Sequence, residues 1–153
     1  MADGLDERWP ELGFSADTRG TWPAQPEQLA HIRASVRAWL TPLGFSPGSI
    51  CDIVLAVNEA ASNSIEHAYR ATCPDPVLTI TYQIEHSVVC IEVIDTGRWR
   101  GPRLARTSYR GHGIPLMNRL VDHVDIRDNG SGTTVLLRHP LPGRLSGNGG
   151  TAP

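Results

Sequence analysis

The segment Glu59-Ala-Ala-Ser-Asn63-Ser-Ile-Glu-His67 lies late in a long helical pattern and is the most informative part of the sequence. Its carboxylate, amide and imidazole recur every four residues, which places them on one side of a helix about one turn apart. A carboxylate and an amide arranged in this way can hold a cation and steer a proton. The sequence therefore predicts a site for a charged ligand on this helix.

Two glycine-containing turns follow this helix along the chain. Asp95-Thr-Gly97 ends a run of β-branched residues, and Gly111-His112-Gly113-Ile114 opens a short helical pattern. A carboxylate at a strand end can accept a hydrogen bond from the exocyclic amine of adenine, although a common Asx turn explains the same residues. Glycines before a helix let backbone N–H groups approach a phosphate. Together with the helix, the turns predict a nucleotide site without a Walker lysine.

Composition narrows the possible activities. All 14 basic residues are Arg, which excludes a P-loop lysine, a Schiff-base lysine and a Ser-Lys dyad. The net charge of −2 predicts no general attraction to nucleic acid or to anionic membranes. The cysteines lack metal-ligand spacing, which favours reduced thiols over a zinc site. Because the chain has neither a signal-like N-terminus nor a long apolar run, we expect a cytoplasmic protein outside the membrane.

Apolar periodicity predicts one domain at 17–140, a flexible segment at 1–16 and a disordered tail at 141–153. The predicted elements are an edge strand (17–22), a helix (27–40), a helix capped by Ser46, a hairpin (77–84 and 88–94), a short helix (114–120) and a second hairpin (121–127 and 133–138). Short turns between strands favour a mostly antiparallel, mixed sheet with helices on one face. The predicted fold class is α+β, a two-layer α/β sandwich.

On the helix, each candidate residue has a structural alternative. Asn63 offers the kind of oxygen that Mg²⁺ binds, and Glu59 could accept a proton from an attacking hydroxyl group. Both would equally suit a solvated helix face. For His67 we favour a structural role near the helix end, where a cation is stabilised by the helix dipole.

The loop before the short helix and the last strand add two more candidates. Residues 98–110 contain five arginines, of which Arg110 is best placed to contact a polyphosphate. A solvated charged loop, or a patch for an acidic partner, is the alternative. Thr133 follows Gly132 and could point its hydroxyl group toward a bound base.

In this order, the motifs resemble those of the GHKL ATPase superfamily, whose members share the Bergerat ATP-binding fold. Glu59-x-x-x-Asn63 is similar to its N-box, Asp95-x-Gly97 to its first glycine box, Gly111-x-Gly113 to its second, and Gly132-Thr133 to its closing strand.

Within the superfamily, the chain resembles the anti-sigma-factor serine/threonine kinases of the RsbW/SpoIIAB type. The resemblance is carried by 58–69, 111–120 and 132–137, and it extends over about 20–140. It implies a homodimeric kinase that binds ATP and Mg²⁺. It also implies two protein partners, a STAS-type anti-sigma-factor antagonist that is phosphorylated and a sigma factor that is sequestered.

The resemblance also implies roles for individual residues. Glu59 would be the general base and Asn63 the Mg²⁺ ligand, while Asp95 with Gly97 would anchor adenine. The remaining nucleotide contacts would come from Arg110, Gly111, His112, Gly113, Ile114 and Thr133.

Two alternatives to this kinase remain open at the level of sequence. The first is a non-catalytic binding module of the same fold that acts by sequestering a partner. The second is the ATPase domain of a histidine kinase separated from its dimerisation helix. The compact length argues against it, and so does the lack of an upstream helix with a phospho-acceptor His. His31 and His67 would be the candidate acceptors.

Overall fold

The computed structural model of the chain describes residues 18–69, 73–97 and 113–143. Its helices and strands are β1 (Thr18–Pro23), α1 (Leu29–Leu40), α2 (Pro47–His67), β2 (Val77–Glu85), β3 (Val88–Asp95), α3 (Gly113–Leu120), β4 (His123–Asp128) and β5 (Thr133–Pro140). Short 3₁₀ turns at Pro26–Gln28 and Thr41–Leu43 flank α1. The three-part division of the chain stays a prediction, since 1–17 and 144–153 lie outside the described residues.

The strands form one five-stranded sheet in the order β1-β2-β3-β5-β4. Each neighbouring pair is antiparallel, so the sheet among the described residues is antiparallel throughout rather than mixed. The α+β fold class is confirmed. At the end of the central strand, Asp95 lies opposite Leu78 on one side and Thr133 on the other, which brings strands β2 and β5 beside the Asp95-Thr-Gly97 turn.

Helix α2 begins where the sequence predicts. The Ser46 side chain accepts a hydrogen bond from the Ser49 N–H group at 3.1 Å, and Pro47 lies in the first turn. This bond satisfies one of the N–H groups left over at a helix start. Before it, Gly44 has a φ of 83°, a left-handed conformation that ends the preceding 3₁₀ turn.

The last hairpin begins later than predicted. Strand β4 starts at His123 rather than Val121. The Val121 N–H group donates to the Met117 carbonyl at 3.1 Å, so Val121 still completes the last turn of α3. Its side chain is buried, and its apolar character therefore reflects helix packing rather than a strand.

The core lies between the helices and one face of the sheet. Helix α2 contributes the largest set of buried apolar residues, namely Ile50, Ile53, Val54, Ala56, Val57, Ala60 and Ala61. They pack with helix-facing residues of the strands, including Leu78, Ile80, Tyr82, Ile91, Val93, Val135 and Leu137. Burial of these side chains fixes α2 across the sheet. Among the described helices, none combines the length and apolar character needed to span a membrane.

Candidate nucleotide site

The two flanks of α2 have different neighbours. On one flank, Asn58 accepts a hydrogen bond from Arg33 of α1 at 2.8 Å. The other flank carries Ala56 and Ala60, both fully buried, in the helix that packs against α3. Asn63 follows Ala60 by three residues and Ala56 by seven, so it lies on this second flank. The predicted metal ligand is therefore on the flank of α2 opposite Asn58 and its α1 partner.

Asn63 is more buried than its sequence context suggests. It is only 9% exposed, which is at odds with the interpretation of this residue as part of a solvated face. Its Nδ2 atom is buried and has no hydrogen-bond partner among the described residues. A buried amide without a partner is unfavourable by about 1–3 kcal/mol. The arrangement fits a side chain whose partner is a bound ligand.

The carboxylate of Asp95 is, by contrast, well supplied with donors. The residue is 2% exposed. Its Oδ2 atom accepts from the Ser64 hydroxyl at 2.8 Å, and its Oδ1 atom accepts from the backbone N–H groups of Gly97 and Thr133, each at 3.2 Å. These bonds hold the carboxylate in one orientation and offset the cost of burying its charge. The Ser64 bond also joins α2 directly to the end of β3.

Two glycines permit close backbone packing around this carboxylate. A Cβ atom on Gly97 would lie 2.1 Å from the Ala68 carbonyl oxygen, and one on Gly132 would lie 2.1 Å from the Asp95 carbonyl oxygen. Both distances are impossible for a side chain, so any other residue would push the segments apart. Gly97 thus brings the turn against the end of α2, and Gly132 brings β5 against the turn.

Thr133 and His67 occupy definable places beside the site. Thr133 is buried, and it contacts Asp95 through its backbone N–H group, while the direction of its hydroxyl toward a base stays a prediction. His67 is in the last turn of α2, and its Nε2 atom lies 3.4 Å from the carboxylate of Glu66. This position at a helix end fits the structural role favoured for His67.

The remaining predicted residues are placed as follows. Glu59 is partly exposed on α2, one turn before Asn63. Gly113 begins α3 and Ile114 lies in its first turn. Arg110, Gly111 and His112 lie outside the described residues, so their contacts stay predictions. The structure thus joins the α2 and β3 motifs with the closing strand, and it places the start of α3 in a helix packed on α2.

The side chains available near Asn63 limit which cation could bind there. Within the described ranges, no cluster of three His, Cys, Asp or Glu side chains could hold a metal ion. A cation beside Asn63 would therefore depend on further oxygen ligands from phosphate and water. Mg²⁺ commonly binds in this way. The site consequently fits Mg²⁺ delivered with a nucleotide better than a metal held by the protein alone.

Two residues near the site were not identified as functional from the sequence. Ser64 was assigned to the buried apolar stripe, yet its hydroxyl is the side-chain partner of Asp95. Tyr69 contacts the turn after β3 through its hydroxyl group. A small polar residue within a buried stripe is the one sequence signal that could have indicated Ser64.

The clearest changes of side-chain pKa among the described residues occur away from this site. Burial raises the pKa of Tyr82, and its hydrogen bond with Ser35 opposes that change. Burial likewise raises the pKa of the Cys90 thiol, while the neighbouring Arg138 lowers it. Both residues lie in the middle of their strands, and both stay neutral near pH 7.

Comparison with known proteins gives consistent matches in sequence. The family of the histidine kinase-like ATPase domain matches residues 22–139. Serine-protein kinase RsbW of Bacillus subtilis (strain 168) is 30% identical over 135 residues, which cover 79% of this chain and 83% of that protein. Serine-protein kinase RsbW of Bacillus licheniformis is 29% identical over 129 residues, which cover 75% of this chain and 80% of that protein.

Solved structures agree with these matches. A structure of the RsbU and RsbW domains of Rv1364c from Mycobacterium tuberculosis has a TM-score of 0.66 and 26% sequence identity. The match covers 83% of this chain and 33% of that longer chain. The histidine kinase domain of a blue-light activated histidine kinase from Erythrobacter litoralis, with a TM-score of 0.55 and 19% identity, shares the fold.

Proposed function

This chain belongs to the family of the histidine kinase-like ATPase domain and is an ATP-dependent serine/threonine kinase of the RsbW anti-sigma-factor type, and from that premise we propose the rest of its function. We propose that it transfers phosphate from Mg²⁺-ATP to a serine or threonine of a STAS-type antagonist. When the antagonist is phosphorylated, the kinase would be available to bind a sigma factor.

One observation supports the proposed placement of the nucleotide. The Ser64 hydroxyl donates to Asp95 at 2.8 Å, which brings the end of β3 against the helix of Glu59 and Asn63. A base bound by Asp95 would leave the phosphates of the same nucleotide directed along α2. We infer that Asp95 accepts a hydrogen bond from the exocyclic amine of adenine, with Gly97 beside it.

The phosphate end would be organised by α2 and by the start of α3. We propose that the Asn63 side-chain oxygen binds Mg²⁺, which would neutralise phosphate charge, and that its amide group donates to a phosphate oxygen or a water molecule. Glu59, one turn earlier, would accept the proton of the attacking hydroxyl group. The N–H groups at the start of α3, with Arg110 to Ile114, would contact the phosphates.

The partners and the location are part of this proposal. The sigma factor, the STAS-type antagonist and a homodimeric assembly are those implied by the resemblance to RsbW-type kinases. A cytoplasmic location would give the protein access to ATP and to a sigma factor. Direct contact with nucleic acid or with a membrane is not part of the proposed mechanism.

Phosphate transfer to purified STAS-domain proteins tests the proposal. The chain is incubated with γ-labelled ATP and Mg²⁺, and the product is examined by mass spectrometry for phosphoserine or phosphothreonine. We expect label in one STAS-domain protein, and no label when Mg²⁺ is omitted or when the acceptor residue is replaced by Ala. Binding of a sigma factor without any transfer would instead favour the non-catalytic module. Acid-labile label on the chain itself would favour a histidine kinase.

A further inference from the structure

The hydroxyl group of Tyr69 lies at the point where strands β2 and β3 separate. The last paired residues of the two strands are Leu78 and Asp95. If the ladder continued, Val77 and Thr96 would face each other next. Instead, the Tyr69 hydroxyl donates to the Val77 carbonyl at 2.5 Å and accepts from the Thr96 N–H group at 3.0 Å.

The hydroxyl group thus takes the place of a backbone partner on each strand. A hydroxyl can donate one hydrogen bond and accept others, so it can satisfy a carbonyl and an N–H group at once. The Thr96 hydroxyl lies 3.4 Å away and is a weaker third contact. Pairing of β3 with β2 ends at Asp95, and the Tyr69 hydroxyl lies in the gap that follows.

The same turn is held from two other directions. Gly97 packs against the carbonyl group of Ala68, the residue before Tyr69. The Ser64 hydroxyl holds the Asp95 carboxylate from one turn further back along α2. The last turn of α2 and the two residues after it therefore contact the turn through the Ser64 hydroxyl, the Ala68 carbonyl group and the Tyr69 hydroxyl.

From these contacts, we propose that Tyr69 is a positioning residue for nucleotide recognition. Its hydroxyl sets the residue at which β3 ends, and thereby the position of Asp95 relative to Asn63 on α2. This inference rests on the proposed function, because it assumes that Asp95 binds the base and Asn63 the metal-phosphate end. It adds a residue that touches neither the base nor the phosphates.

Removal of the hydroxyl should loosen this connection while leaving the aromatic ring in place. In Tyr69→Phe, Val77 and Thr96 would either lose a partner or approach each other and extend the ladder by one residue. Both changes displace the turn from α2. We expect nucleotide affinity to fall on the order of tenfold, the change expected when displacement of Asp95 weakens its contact with the base by about one hydrogen bond.

The chain offers a matched control at Tyr82. Its hydroxyl also makes a side-chain bond, to Ser35 at 3.1 Å, but on α1 rather than at the end of β3. Tyr82→Phe should lower thermal stability to a similar or larger extent, because Tyr82 is almost fully buried. It should leave the affinity for ATP and ADP unchanged.

The experiment compares ADP and Mg²⁺-ATP binding by calorimetry in the wild type, Tyr69→Phe and Tyr82→Phe. Steady-state transfer at saturating ATP is measured in parallel. We expect Tyr69→Phe to raise the KM for ATP about tenfold with kcat nearly unchanged, since Glu59 and Asn63 are intact. Equal affinity in wild type and Tyr69→Phe, or an equal loss in both variants, would overturn the proposal. A wild type that binds no nucleotide would refute the proposed function, and this inference with it.

Amide hydrogen exchange gives a second readout that needs no nucleotide. The Thr96 N–H group should exchange slowly in the wild type, because it is bonded to Tyr69. In Tyr69→Phe its exchange should become at least several-fold faster, on the order expected when one local bond is lost. The N–H group of Thr133, which donates to Asp95, should keep most of its protection. An unchanged Thr96 rate would show that the hydroxyl does not hold the turn.

Discussion

The Asp95 carboxylate and the Asn63 side chain on α2 are both buried and polar, yet they differ in how many hydrogen-bond partners the protein gives them. Asp95 receives donors from α2, from its own turn and from β5. Asn63 has a buried Nδ2 atom without a partner in the described residues. The first region is ordered by the protein itself, and the second is left incomplete. In the proposed site, base recognition would be preorganised, whereas the metal-phosphate end would be completed by the ligand.

The largest effect on nucleotide binding is expected from Asn63→Ala. Loss of the side-chain oxygen should reduce Mg²⁺-dependent ATP binding below detection by calorimetry. The free energy of unfolding should stay equal or rise by up to about 0.7 kcal/mol, because an amide without a partner is removed and Ala is the better helix former.

Asn58→Ala is the matched control for this change. Asn58 lies on the opposite flank and bonds Arg33 of α1. The Asn58→Ala variant should lose the bond to Arg33 and keep the wild-type affinity for Mg²⁺-ATP. Wild-type binding by Asn63→Ala would contradict the metal role, and a large loss of stability would show that the amide has a structural partner.

The next largest effect is expected from Glu59→Gln. Nucleotide affinity should be retained, while phosphate transfer slows by roughly 10²–10⁴-fold, the usual contribution of a general base. Quenched-flow or single-turnover assays separate the two quantities. Glu66→Gln, an exposed acid two turns later on α2, should transfer phosphate at the wild-type rate. Wild-type turnover in Glu59→Gln would remove Glu59 from the mechanism.

Asp95→Asn tests whether the Asp95 carboxylate recognises adenine. The amide oxygen can still accept from Gly97 and Thr133, and the NH₂ group can donate to the Ser64 hydroxyl, so the fold should survive. Stability should fall by about 1 kcal/mol, because neutral hydrogen bonds are weaker than charged ones. The preference for ATP over GTP should fall, since an NH₂ group cannot accept from the adenine amine.

Competition between ATP and GTP, followed by calorimetry, measures this preference. Glu92→Gln provides a control, because Glu92 accepts a hydrogen bond from Thr81 at 3.0 Å in the middle of the sheet, away from the turn. That variant should keep the adenine preference of the wild type. Undiminished discrimination in Asp95→Asn would assign adenine recognition to other residues.

The smallest effect is expected from Ser64→Ala. Asp95 would keep both backbone donors but lose the one that joins β3 to α2. We expect a loss of about 1 kcal/mol in unfolding free energy, a typical hydrogen-bond contribution, and a modest drop in ATP affinity. Chemical denaturation measures the first quantity. The control is Ser62→Ala on the partly exposed side of α2, which should change neither the unfolding free energy nor the ATP affinity. Identical behaviour of the two variants would argue against a stabilising bond between Ser64 and Asp95.

Local patterns predicted the elements well because each depends on nearby residues. The Ser46-Pro47 start of α2, the Glu85–Ser87 turn and the two hairpins follow from capping, periodicity and turn residues. The late start of β4 was missed because a buried Val looks the same in a helix as in a strand.

Local sequence patterns could not predict contacts between segments that are far apart in the sequence. Periodicity showed that Ser64 faces inward, but not that Asp95, 31 residues later, would be its partner. The burial of Asn63 depends on the packing of α2 within the fold, which no local pattern encodes. The role of Tyr69 arises from a gap between two strands whose register is known only once the sheet has formed.

The most direct test of a single shared site is an NMR titration of the labelled protein with ATP and Mg²⁺. The backbone amide signals of Asn63, Gly97 and Thr133 come from α2, from the turn after β3 and from β5. We predict that all three shift together and report one dissociation constant, while the signal of Asn58 on the α1 flank stays in place. Separate dissociation constants, or shifts confined to one of the three segments, would contradict a common nucleotide site.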